Sequence, residues 1–189
     1  MKSLALTFDD GPDPCWTGRL LDAQARAGAR ATFFPIAPRA GARPDLMARI
    51  LSEGHAVGLH CDEHVRHSHR DAASGRADTE RALARLHAVG VTPRLWRTPW
   101  GDTAPWTAAV AQERDLRVIG WTVDSHDWRG DRAADMFAAV RPGLRPGAIV
   151  LAHDGLGPGA RRTDAHETVE FVTLVARYAD AHGLALTAL

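Results

Sequence analysis

Short apolar runs alternate along the chain with longer stretches in which apolar residues return every three or four positions. The short runs, at 3–8, 31–36, 56–60, 94–97, 116–123, 148–152 and 184–187, have the length and apolar character of strands buried on both faces of a parallel sheet. The stretches at 15–27, 44–51, 74–89, 104–114, 132–140 and 164–182 carry helical periodicity. Pro44 suits a first helical turn, and Gly28, Gly90 and Gly183 stand where helices stop. Seven strands alternating with helices predict successive β-α units, hence an α/β fold around a parallel sheet. No linker, repeat or low-complexity tract interrupts the pattern, and residues 64–74 read as a polar loop, so residues 1–189 are expected to form one domain.

Charge and composition narrow the partners. Lys+Arg and Asp+Glu both number 23, so no broad basic field is available to hold nucleic acid or an anionic membrane. No run of about 18 apolar residues could span a bilayer. Cys15 and Cys61 are too few for a disulfide framework and do not form a C-x-x-C pair. Met1 to Leu6 leads directly into a strand-like run without a leader segment, so the chain as given reads as cytoplasmic, with secretion the alternative for a chain whose leader had been removed. The oligomeric state is left open.

Candidate chemistry gathers just past the predicted strands, where α/β sheets place their ligand sites. In Thr7-Phe8-Asp9-Asp10-Gly11-Pro12, neighbouring carboxylates on an extended chain point to opposite sides, so one can bind a metal while the other handles a proton; Asp-Gly-Pro is also ordinary turn chemistry. In His60-Cys61-Asp62-Glu63-His64, a helical turn would bring both imidazoles to one side at metal-binding separation; two solvated histidines are the other reading. Arg97-Thr98-Pro99-Trp100-Gly101, Asp124-Ser125-His126-Asp127-Trp128 and Leu151-Ala152-His153-Asp154 complete the set. Each alone could be an ion pair, a cap or a strand-end histidine. Five in order, each at a strand end, point to one site.

These five segments resemble the motifs of the polysaccharide deacetylase family, also called the NodB homology domain or carbohydrate esterase family 4, over residues 6–153. The resemblance implies a distorted (β/α) barrel of about seven parallel strands and one divalent metal ion, Zn2+ first, with Co2+ or Ni2+ as alternatives. It implies Asp10, His60 and His64 as metal ligands, Asp9 as general base and His153 as general acid. Arg97 matches the partner of the base, and Asp127 the residue that tunes the acid. Trp128 and Leu151 match the walls around the acetyl methyl, and the Trp100 backbone N–H matches an oxyanion donor. Cys61 departs from the Ser or Thr usual in the family, which puts hydrogen bonding around the ligands in question rather than the ligands themselves.

The implied activity is hydrolytic removal of an N-acetyl group from an amino sugar or related small molecule. An O-acetyl esterase of the xylan type, or a catalytically silent carbohydrate-binding relative, are the alternatives; Asp9 and His153 together argue against silence. Arg161-Arg162, beyond the glycine-rich segment Gly155 to Gly159, are candidate contacts to an acidic substrate, with a small soluble molecule expected rather than a polymer. That segment reads as a flexible loop: its G-x-G-x-x-A string follows a strand, but Asp180, the acidic residue near the spacing of a dinucleotide site, falls inside an expected helix rather than at a second strand end. His67-Ser68-His69 has H-x-H spacing but no strand leading into it, and His166-Glu167-Thr168-Val169-Glu170 lacks the second histidine of a zincin helix. Among Trp16, Trp96, Trp106 and Trp121 a sugar-stacking platform is possible, although most are expected in the core.

Overall fold

The computed structural model describes residues 2–189. Its organising strand is β1 (Ser3–Asp9), buried along nearly its whole length. The two faces of β1 divide the labour: Leu4, Leu6 and Phe8 enter the main hydrophobic cluster, whereas Thr7 and Asp9 point to the opposite face. Along the chain follow α1 (Thr17–Arg26), β2 (Thr32–Phe34), α2 (Ala37–Ala42), α3 (Pro44–Ser52), β3 (Ala56–Val57), α4 (Ala72–Ala88), β4 (Leu95–Trp96), α5 (Thr107–Glu113), β5 (Arg117–Val118), β6 (Val123–Asp124), α6 (Ala133–Val140), β7 (Ile149–His153), α7 (His166–Ala181) and β8 (Ala185–Leu186). No helix among the described residues is long and apolar enough to cross a membrane.

Every strand pairing is parallel. The main sheet has the order β3-β2-β1-β7-β6, with β8 adding to the start of β1. The β4-β5 pair joins its β3 edge through a bridge between Leu59 and Trp96 and a bond from the Arg97 N–H to the Leu59 carbonyl, 2.9 Å. The strands therefore curl from β6 round to β5, and among the described residues no ladder joins those two. In the expected run 116–123 one strand becomes two, because the Ile119 and Gly120 carbonyls turn to accept from Arg97 at 3.4 and 2.9 Å instead of joining a ladder.

The other expected elements are present, most with shorter ends; β1 and α3 each run one residue further, α4 begins two residues earlier and ends one earlier, and β7 is shifted by one. Helix α2 is the main omission, since Pro38 and Gly41 within Ala37–Ala42 blur any apolar period. The expected polar loop at 64–74 contains a 3-10 turn, His67–His69, whose first histidine is buried against Trp96 and Trp106. Burial lowers the His67 pKa to about 4, so it is a neutral packing group.

Gly58, between β3 and the histidine segment, exists for close approach: a Cβ there would lie 2.4 Å from the Phe34 ring and 3.0 Å from the Leu95 carbonyl oxygen. Gly58→Ala should therefore lower stability by about 1–3 kcal/mol in urea unfolding. Gly41→Ala, where a Cβ meets nothing within 4 Å, should be neutral or stabilising by about 0.5–1 kcal/mol. Equal effects at the two sites would contradict this packing.

Candidate active site

Strands β1 and β7 run in parallel register with Asp9 opposite His153 and Thr7 opposite Leu151. Register neighbours in a parallel pair point to the same face, so Asp9, Leu151 and His153 share the face away from the main core. There they line a cavity of about 390 Å3 with Asp10, His60, His64, Trp100, Trp121 and Trp128 among its walls. Of the four tryptophans considered for stacking, only Trp121 reaches this cavity.

Arg97 organises the first side of the site. It is 0% exposed, and its guanidinium donates to Thr7 Oγ1 at 2.6 Å, Asp9 Oδ1 at 3.0 Å and the Gly120 carbonyl at 2.9 Å, with its carbon 4.3 Å from the centre of the Phe34 ring. A buried cation so fully bonded fixes the orientation of the Asp9 carboxylate.

Asp10 turns the other way. Its φ of 73° lies in the left-handed region, where an aspartate is tolerated better than most residues. This aims Oδ1 at His60 Nε2, 3.3 Å, and His64 Nε2, 3.2 Å. Among the described residues, Asp10, His60 and His64 form the only group of three or more ligand-type side chains converging closely enough for one ion, their ligand atoms all within 4.8 Å of one another. The donor set fits a divalent cation. His60 Nδ1 lies 2.6 Å from the Arg97 carbonyl, which can only accept, so Nδ1 carries the proton and Nε2 offers its lone pair to the site. Asp10 Oδ1 is buried without a hydrogen-bond partner, an acceptor that calls for a cation. Burial opposes ionisation of Asp10, yet His60 and His64 hold its carboxyl well below the usual range.

The histidines meet through a bend, not the helical turn that their spacing suggested. Asp78 of α4, which sequence reading passed over, makes that bend: its carboxylate accepts from the Asp62 and Glu63 N–H groups at 3.1 and 2.9 Å. Its place inside a helix carries no local sign of such a role. Cys61, between the histidines, is buried and unpaired, and contributes its carbonyl to the Ala37 N–H at 2.8 Å.

The opposite side is built on His153. Its Nδ1 lies 2.7 Å from Asp127 Oδ1, and its backbone N–H donates to Asp127 Oδ2 at 2.9 Å, which leaves Nε2 as the ring nitrogen available to the cavity. Burial alone would keep the imidazole neutral, but Asp127 outweighs it and raises the pKa to about 9. Burial likewise opposes the Asp127 charge, which His153 and Arg162 restore, holding its carboxyl down at about 2.

Arg162 is turned inward. It donates to Asp127 Oδ2 at 2.8 Å, to Thr168, and to the His153 and Gly155 carbonyls at 2.9 and 3.1 Å, so most of its donors are already engaged. Arg161 remains exposed, 5.7 Å from the centre of the Trp128 ring. Trp100 lines the cavity at 41% exposure with a φ of 56°, and its indole meets His64 edge-on. His67, His69 and His166 are not part of this group.

Comparison with known proteins identifies the family. A family model described as Polysaccharide deacetylase matches residues 1–119. The chitooligosaccharide deacetylase of Bradyrhizobium sp. (strain ANU 289) is 34% identical over 168 residues, 87% of this chain and 77% of that protein. The peptidoglycan-N-acetylglucosamine deacetylase of Bacillus cereus (strain ATCC 14579) is 33% identical over 162 residues, 82% of this chain and 56% of that protein. Among solved structures, a family 4 carbohydrate esterase from Streptomyces lividans in complex with acetate superposes with a TM-score of 0.87 at 28% identity, covering 97% of this chain and 91% of that one. The chain belongs to the polysaccharide deacetylase family, the NodB homology domain of carbohydrate esterase family 4.

Proposed function

We propose that residues 1–189 form a metal-dependent deacetylase domain that hydrolyses the N-acetyl group of an amino sugar, with acetylated chitooligosaccharides the first substrates to try. One observation carries this reading: a carboxylate fixed by Arg97 and an imidazole held protonated by Asp127 face one cavity in matched register, beside an Asp-His-His ligand group. The protonated imidazole favours an amide over an ester, because an amine leaves only when its nitrogen is protonated, whereas an alkoxide leaves more readily.

Asp10, His60 and His64 would hold the divalent cation, Zn2+ first and Co2+ or Ni2+ next. Once bound, it would acidify a water towards neutral pH and polarise the acetyl oxygen. The Asp9 carboxylate, held by Arg97, is placed to orient an attacking water and to take its proton as the oxygen adds to the acetyl carbon. The Trp100 backbone N–H is assigned the developing charge on the acetyl oxygen. As the carbon–nitrogen bond breaks, His153 Nε2 gives its proton to the leaving nitrogen, so acetate and a free amine result. Trp128 and Leu151 enclose the methyl group, and the exposed Arg161 is left to meet an acidic substituent of a small substrate.

Asp9→Asn should keep metal affinity and lose about 10²–10⁴-fold in kcat, measured as acetate release from a chitin oligomer. His60→Ala should instead lose the metal, seen by calorimetric titration. Full activity in Asp9→Asn would overturn the assignment of the base. With matched N-acetyl and O-acetyl sugars, faster turnover of the ester would favour the esterase alternative.

The pH profile gives an independent check. His153 acts as an acid while protonated, so its contribution is present at low pH and lost as pH rises through about 9. Removing the Asp127 charge in Asp127→Asn should move this alkaline limb of kcat/KM towards the ordinary histidine value of about 6.5. Activity at pH 8 should then fall far more than activity at pH 6. An unmoved limb would exclude the His153–Asp127 pair as the acid.

A further inference from the structure

Arg39, on α2, takes no part in the chemistry above, yet both arms of its guanidinium reach backbone next to the ligand group. Nη1 donates to the Asp10 carbonyl at 2.7 Å and Nη2 to the Leu156 carbonyl at 3.0 Å. No carboxylate forms an ion pair with it among the described residues, so these two carbonyls are its polar partners. It ties the turn after β1 to the glycine-rich segment after β7, two segments 143 or more positions apart in sequence.

That segment is not the free loop its composition suggests. A Cβ built on Gly157 would lie 1.8 Å from Asp10 Oδ2, so the Gly157 backbone sits directly against that oxygen. The two oxygens of Asp10 are thereby separated: Oδ1 faces the histidines at 3.2 and 3.3 Å, and Oδ2 faces Gly157. Two further contacts hold the same turn. The Gly11 N–H donates to Asp154 Oδ1 at 3.1 Å, and Thr17 Oγ1 donates to Asp154 Oδ2 at 2.6 Å. A left-handed aspartate persists only where its surroundings over-determine it, and these contacts do so.

We propose that Arg39 is a positioning residue for the metal ligand Asp10. It holds the backbone of Asp10 in the left-handed turn and seats Gly157 against Oδ2, so that Asp10 directs Oδ1 alone to the side of His60 and His64. The inference rests on the ligand set proposed above, but concerns metal affinity rather than turnover.

Charge and position predict opposite signs here. A guanidinium beside a cation site repels the cation, so charge alone would make its removal tighten metal binding. Loss of a residue that orients a ligand instead weakens binding, by about 10–100-fold.

The test is titration of metal-free protein with Co2+, followed by its visible absorption, alongside thermal unfolding. Arg39→Met, which keeps the aliphatic stem and removes both donors, should weaken Co2+ binding about 10–100-fold. Gly157→Ala, which leaves Arg39 in place and crowds Oδ2, should weaken it as well and guards against a folding defect in the first variant. Arg43→Met, which removes only a surface pair with Asp45, should bind like the parent chain. Unchanged or tighter Co2+ binding in folded Arg39→Met overturns the proposal. Failure of the parent chain to bind Co2+ overturns the ligand set and this proposal with it. Intact, Arg39-dependent binding without acetate release would sustain the positioning role and sink only the deacetylase reading.

Discussion

A carboxylate taken out of water must find compensating charge or hydrogen bonds, because the penalty for an unpaired buried ion rivals the stability of a whole domain. Four aspartates, Asp9, Asp10, Asp127 and Asp154, are buried around the ends of β1 and β7, and each finds a different solution. Asp9 takes the guanidinium of Arg97, and Asp127 takes His153, Arg162 and Thr168. Asp154 makes do with the Gly11 N–H and the Thr17 hydroxyl, and burial pushes its carboxyl up to about 7. Asp10 is the exception: its Oδ1 has two imidazoles nearby and no hydrogen bond, which leaves room in the charge balance for a divalent cation.

The sheet explains how these groups share one cavity without neutralising one another. Period-two alternation sends Leu4, Leu6 and Phe8 into the core and Thr7 and Asp9 to the other face, and the same alternation in β7 buries Val150 and Ala152 while exposing Leu151 and His153 to the site. The reversed φ of Asp10 then parts it from Asp9, so that the proposed proton acceptor and the proposed metal ligand occupy adjacent positions without sharing a direction. Asp9 and His153, register neighbours on the backbone, meet side-chain partners of opposite sign, Arg97 for the one and Asp127 for the other.

Much of this was legible in the sequence. The alternation of apolar runs and helical periods identified the parallel α/β fold, and the five polar clusters marked the residues that meet in the cavity. Tertiary hydrogen bonding accounts for the departures. Arg97 claims the carbonyls of Ile119 and Gly120 and splits an expected strand, and Asp78 replaces an expected helical turn by capping a bend from another helix. Two adjacent arginines carry no sign of which one turns inward, so the role of Arg162 beside Asp127 could be read only from the structure. Glycine-rich composition announces a loop but not that Gly157 lies against a carboxylate.

The account rests on one cation completing the charge balance at Asp10 and serving an amide hydrolysis there. Its most direct test is reconstitution: chelator-stripped protein is titrated with Zn2+ while acetate and free amine are both measured from an N-acetylated sugar oligomer. The account predicts negligible release from the stripped chain, a rise that saturates at one ion per chain, and one amine formed for each acetate. Undiminished acetate release from the stripped protein would contradict it.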